Sequence, residues 1–91
     1  MAYRIVVLPS AEADMEVLDP EVRRRILRRV VWLGENASSV IHHALTNMPN
    51  DLVGLCRLRV GDYRILYWVY HERQTLKVYR VGHRSDVYRR F

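Results

Sequence analysis

Four arginines make the first chemical suggestion in this chain. Arg57, Arg59 and Arg64 bracket Gly61-Asp62, and Arg84 follows beside His83 and a turn ahead of Tyr88. A guanidinium is a planar fork that grips phosphate oxygens in pairs and can stabilise the charge that builds on a phosphorane. An imidazole exchanges protons near neutral pH, and a tyrosine can stack on a base or relay a proton. The bland alternatives are solvated arginines packed across strands, a surface histidine, and a tyrosine that anchors a tail. No Gly-rich phosphate loop, His-Glu metal motif or nucleophile elbow accompanies these residues. The acids of this half, Asp62, Glu72 and Asp86, are scattered and do not form the cluster that a two-metal nuclease needs. Neither metal nor cofactor is therefore expected. RNA permits metal-free cleavage, because its own 2′-hydroxyl can attack the adjacent phosphorus.

Charge distribution supports a polyanionic or acidic partner. Of 15 basic residues all but Lys77 are arginine, and the net charge is +5. Residues 1–53 carry six arginines and seven acids, whereas residues 54–91 carry nine basic residues and three acids. The second part thus supplies the whole excess, as in proteins that meet phosphates or acidic surfaces. With 91 residues, 49% of them apolar, the chain suits one compact domain spanning 1–91. No apolar run approaches the roughly 20 residues of a membrane span, and the first residues lack a signal-peptide pattern. A cytoplasmic protein is expected. The single Cys56 excludes an internal disulfide framework.

The elements that must position these groups follow from periodicity. Tyr3 to Leu8 reads as a strand ended by Pro9. Ser10 can cap a helix to about Leu18, with Ala11, Met15 and Leu18 on one face. Asp19-Pro20 starts a second helix, to about Gly34, with Val22, Ile26, Val30 and Leu33 as its buried stripe and Leu27 and Val31 widening it. The two form a helical hairpin. Residues 35–53 are ambiguous: Ala37 to Leu45 suggests a helical turn or two before a loop, and His42 and His43, lacking partners nearby, read as structural or incidental. From Gly54 the period becomes two. Leu55 to Val60 and Tyr63 to Tyr70 form a hairpin about Gly61-Asp62, and Leu76 to Val81 a further strand. The order β-α-α-β-β-β gives an α+β fold, a mostly antiparallel sheet with the helical hairpin on one face and the other face open. Alternation sends Cys56, Leu58 and Val60 inward and Arg57 and Arg59 outward. If Ile65, Tyr67 and Val69 are buried, Arg64 joins them on the open face. His83, Arg84 and Tyr88 lie just past the last strand, within reach of its rim.

Two stretches resemble a known family. Leu55-Cys56-Arg57-Leu58-Arg59-Val60-Gly61-Asp62-Tyr63-Arg64-Ile65-Leu66-Tyr67 is similar to the signature hairpin of the RelE/ParE toxin superfamily. Val81-Gly82-His83-Arg84-Ser85-Asp86-Val87-Tyr88-Arg89 resembles its Gly-His-Arg…Val-Tyr ending. The resemblance implies a RelE-like toxin of a type II toxin–antitoxin system, an endoribonuclease (mRNA interferase) that enters the 70S ribosome and cuts mRNA in the A site without a metal. Attack by the 2′-hydroxyl leaves a 2′,3′-cyclic phosphate and a 5′-hydroxyl. It implies that Arg57, Arg64, Arg84 and Tyr88 carry the chemistry, with Arg57, Arg59 and Arg64 binding RNA. Leu55 stands where some RelE enzymes place a lysine proposed as general base, which leaves His83, or Tyr88, as the substitute. The implied partner is an acidic RelB-like antitoxin, in a heterotetramer whose antitoxin part binds operator DNA. The alternative is a ParE-like inhibitor of DNA gyrase without nuclease activity, or a degenerate member that only binds its antitoxin.

Overall fold

The computed structural model describes residues 2–90. In chain order it contains β1 (Arg4–Val7), α1 (Pro9–Glu16), α2 (Pro20–Asn36), β2 (His43–Ala44), β3 (Cys56–Val60), β4 (Tyr63–Tyr70) and β5 (Thr75–His83). Short 3-10 turns occur at Asn50–Leu52 and Val87–Arg90. The strands form one five-stranded sheet in the order β1-β5-β4-β3-β2. Neighbours are antiparallel except β1 and β5, which run parallel. The α+β architecture is as the periodicity implies, with β2 as an additional strand.

The helices bury one face of the sheet. Ala11 and Met15 of α1 and Ile26, Val30 and Leu33 of α2 pack with Cys56, Val60, Ile65, Tyr67, Leu76, Val78 and Val81. Leu27 and Val31 do not widen the stripe: they are 41% and 53% exposed. α2 comes so close to β1 that a Cβ on Gly34 would lie 2.9 Å from the Ile5 side chain, and the Gly34 carbonyl accepts the Tyr3 N–H at 2.8 Å. Pro9 occupies the first helical positions of α1, so the helix starts before Ser10 and that serine is not its cap. Its hydroxyl donates instead to the Tyr79 carbonyl at 2.6 Å. Asp19 does precede α2, but only its carbonyl engages, accepting the Arg23 N–H at 2.9 Å. The Arg23 side chain turns back over the end of α1, donating to the carbonyls of Met15 at 2.9 Å and Leu18 at 3.0 Å. It thereby satisfies acceptors that the end of a helix leaves open, at its negative pole.

Beyond Val7 the edge of β5 has no strand of the described residues beside it, and α1 takes over that role. The Leu8 N–H donates to the Val78 carbonyl at 3.0 Å, and Ser10 holds the Tyr79 carbonyl. Asp14 accepts the Val81 N–H at 2.9 Å and two bonds from the Arg80 guanidinium, at 2.9 and 3.0 Å. Both side chains of this pair are nearly buried, at 15% and 10% exposed for Arg80 and Asp14. Between β4 and β5 the register passes from Leu66↔Arg80 to Tyr67↔Val78, so Tyr79 is an extra residue on β5.

The ambiguous stretch opens with one helix-like turn, the Val40 N–H donating to the Asn36 carbonyl at 3.1 Å, and is then extended at His43–Ala44, where a second turn of helix was the alternative. His43 pairs with Arg57 and Ala44 with Cys56. His42, just before, turns inward: its Nε2–H donates to the Ala37 carbonyl at 2.7 Å, and its Nδ1 accepts the Tyr67 hydroxyl at 2.7 Å. The Tyr3 hydroxyl meets His71 Nδ1 at 2.7 Å, and the two imidazoles stand edge to face. The open face is also less open than its pattern suggests. Leu55, Leu66 and Val87 are buried there, with Leu45, Met48, Trp68, Tyr79 and Tyr88 against them.

Two expectations follow. Asp14→Ala strands the Arg80 charge and the Val81 N–H, and should cost about 3 kcal/mol in a urea unfolding curve, with an unchanged slope. Burial pushes the Cys56 thiol up from its ordinary value, and its Sγ donates to the Gly54 carbonyl at 3.3 Å. A disulfide reagent should therefore leave the folded protein unlabelled at neutral pH and label it fully in guanidinium.

Candidate functional site

The face of the sheet away from the helices carries most of the arginines expected there, and register sets them in rows. Arg59 lies directly opposite Arg64, which lies opposite Gly82. One row further along, His43 lies opposite Arg57 and Arg57 opposite Leu66. Paired residues of antiparallel strands share a face, with Cβ atoms about 5 Å apart. Gly82 leaves room for the turn that follows β5: a Cβ there would meet Val87 Cβ at 3.4 Å. Val87 and Tyr88 consequently lie over the middle of this face, against Leu55 and Leu66.

Arg64 and Arg84 converge on the β3–β4 turn. Gly61 has a positive φ of 59° and Asp62 does not, the pattern of a type II′ hairpin turn with glycine at its first central position. Arg64 Nη1 donates to the carbonyls of Gly61 at 3.0 Å and Tyr63 at 2.9 Å. The Arg84 backbone N–H donates to the Asp62 carbonyl at 2.7 Å. Its side chain faces the Asp62 carboxylate at 3.7 Å, but the two are 63% and 71% exposed, so water screens the pair and Arg84 stays available to another anion. From the helix side Arg25 approaches the same turn, its Nη2 lying 2.7 Å from where a Gly61 Cβ would be. Arg25, Arg28, Arg29, Trp32 and Arg59 line an open hollow of about 510 Å³. A second, of about 430 Å³, is lined by His43, Arg57, Leu58 and Arg59. Among the described residues no carboxylate pairs with Arg57 or Arg59. The result is a cationic rim around a small apolar centre, suited to a phosphodiester and an unstacked base.

The structure thus brings Arg57, Arg59, Arg64, Arg84 and Tyr88 to one region. It does not bring His83 there. His83 is the last residue of β5, not a residue beyond it, and pairs with Tyr63. Its ring stands edge-on to Tyr63, 5.5 Å between centroids, and Tyr63 belongs to the helix-side core. Its Nδ1 accepts the Ser85 N–H at 3.2 Å and meets the Ser85 hydroxyl at 2.8 Å. His43 does face the arginines, and sequence reasoning missed it. In an extended segment the adjacent His42 and His43 must point to opposite faces, but neither the extension nor which of the two meets the arginines shows in the local sequence. Among the described residues no three His, Cys, Asp or Glu side chains lie together as a metal-ligand set.

The fold is shared with proteins of known type. Toxin RelG of Mycobacterium tuberculosis is 33% identical over 92 residues, spanning 99% of this chain and 100% of its own. The structure of the M. tuberculosis toxin–antitoxin complex RelBE2 contains a chain that superposes with a TM-score of 0.77 at 26% identity, covering 94% of this chain and 95% of that one. The isolated RelE toxin of E. coli gives 0.69 at 24% identity, covering 90% and 84%, a likeness of fold. Residues 5–88 match the sequence model of the family described as ParE toxin of the type II toxin–antitoxin system parDE. A match over nearly the whole chain, with a relative at this identity, makes the chain a member of the RelE/ParE superfamily, the toxins of type II toxin–antitoxin systems.

Proposed function

We propose that this toxin is a ribosome-dependent endoribonuclease that cleaves mRNA in the ribosomal A site. The observation that carries the reading is the convergence of Arg64 and Arg84 on one turn, with Arg59 paired to Arg64 and Tyr88 packed on the same face. In-line attack of a 2′-hydroxyl on phosphorus adds negative charge to the phosphoryl oxygens, and fixed guanidinium groups stabilise that charge without reorganising. Arg57, Arg59 and Arg64 bind and orient the chain across the scissile phosphate. Arg84, tethered by its backbone and exposed at its head, meets the developing charge. Tyr88 offers a ring to the adjacent base. The bond from O2′ to phosphorus forms as the bond to O5′ breaks, giving a 2′,3′-cyclic phosphate and a 5′-hydroxyl.

The same reading gives the toxin an acidic, RelB-like antitoxin that covers the basic face, in a heterotetramer whose antitoxin part binds operator DNA. It acts where ribosomes work, in the cytoplasm; no helix among the described residues is long and apolar enough to cross a membrane. A second reading has its own support, since the matching family model is that of ParE toxins. A ParE-like chain would bind and inhibit DNA gyrase and leave RNA intact.

Primer extension on a reporter mRNA in a translation reaction, with and without ribosomes, separates the two. Discrete cuts within codons that require ribosomes are expected. Intact mRNA together with inhibited supercoiling would replace the nuclease reading by the gyrase one. Arg84→Ala should lower the cleavage rate about 100- to 1,000-fold, the usual cost of removing one group that stabilises transition-state charge. Wild-type cutting by that variant would remove Arg84 from the site.

A further inference from the structure

The nuclease reading leaves one role open, the removal of the 2′-hydroxyl proton. Leu55 has no group to take it and is fully buried, at 0% exposure, beneath Leu66 and Val87. His83 lies on the opposite face, against Tyr63. We infer that His43 is the proton-accepting catalytic residue of this site, acting on the ribose whose phosphate Arg57 holds.

The argument is geometric. β2 is two residues long, and its pairing with β3 sets His43 across from Arg57. His42 decides which way the strand faces. Its ring is tied on both nitrogens, to Ala37 and to Tyr67, and so lies on the helix side. The next side chain must then project from the other face, with Arg57. Leu45, two residues on, packs into the same apolar patch as Tyr88, which places β2 on the border of the candidate site. His43 is exposed, and among the described residues neither ring nitrogen has a hydrogen-bond or ion-pair partner. The charged groups that line its hollow are Arg57 and Arg59, with Leu58 from the edge of β3; no carboxylate of the described residues lines it. In an RNA chain the 2′-oxygen neighbours the phosphate it attacks. A base beside the residue that grips that phosphate is therefore correctly placed, and paired side chains here start about 5 Å apart.

The step balances within the RNA. The 2′-hydroxyl proton passes to an imidazole nitrogen of His43 as the O2′–phosphorus bond forms. The phosphorus–O5′ bond breaks, the leaving oxygen takes a proton from solvent, and His43 returns its own to solvent. The inference rests on the nuclease reading, and the test separates the two.

Single-turnover cleavage of end-labelled mRNA on programmed ribosomes would be followed across pH 5.5 to 8.5, roughly the range over which an imidazole titrates. The wild-type rate should rise with pH through an acid limb and then level. His43→Ala and His43→Gln should fall about 100- to 1,000-fold at the plateau, the ordinary worth of general-base catalysis, and lose that limb. Half-saturation by ribosomes should stay the same, and added imidazole should partly restore His43→Ala. Thermal melts of both variants should match wild type, because the side chain holds nothing in the fold. A wild-type chain that never cuts mRNA would sink the nuclease reading itself. Cutting by His43→Gln at the wild-type rate, or a reduced rate with the acid limb intact, would overturn the assignment alone. So would loss of the limb in His83→Ala.

Discussion

Everything on this sheet depends on how β5 is held at its outer edge. β1 covers only the first four paired positions of that strand, from Thr75 to Val78, and then ends at a proline. The exposed backbone beyond it belongs to the residues that lead into His83 and Arg84. Asp14 takes the Val81 N–H and the Arg80 guanidinium together, so a helix stands in for the missing strand. A sheet edge left bare is a template for another chain, and a carboxylate on that edge also removes the template. The same contact fixes the direction in which β5 delivers Arg84 to the β3–β4 turn.

The two faces divide the work. Toward the helices the sheet is apolar and its polar atoms are matched: Tyr67 to His42, Tyr3 to His71. Burial, with the neighbouring Cys56 adding, pushes the Tyr67 phenol far above its ordinary value, so it stays a neutral donor. On the other face the centre is apolar and the rim cationic, and the rim carries few compensating acids. Leu66 is the hinge of this division, fully buried although its pleat points away from the helices. Covering it is what commits the residues after β5 to cross the face and bring Tyr88 with them. Tyr79, the extra residue of the β5 bulge, stacks at a tilt on Trp68, 5.2 Å between centroids, and extends that cover toward the far end.

Much of this was legible in the chain where the signal was local. Asp19-Pro20 marked the start of α2, Gly61-Asp62 the hairpin, and alternation sorted Cys56 and Val60 from Arg57 and Arg59. What failed was decided by residues far away. Leu27 and Val31 have the types of a buried stripe, yet which side of α2 meets the sheet is set by Gly34 against Ile5 and Ile26 in the core. β2 is too short to show a period, and its existence depends on β3. The direction of His42 is fixed by Tyr67, 25 residues further along, so no local pattern could tell His42 from His43. The slot for Val87 and Tyr88 required knowing that Gly82 lies beneath them. The arginines of the candidate site were visible as types and spacing; the apolar centre that gathers them was not.

The parallel pair has a consequence in time. β1 is made before the other strands and pairs, among the described residues, with β5 alone, so Arg4 waits for Thr75 and Val7 for Val78. The helical hairpin can form early, but it has no completed surface to pack on until then, and such non-local closure is slow and late. Arg84 and Tyr88 are synthesised after β5. A nascent chain therefore emerges with its cationic rim in pieces, and the sheet and the rim are completed in the same event. If its target is the ribosome, the machine that makes it meets a harmless polymer until that moment.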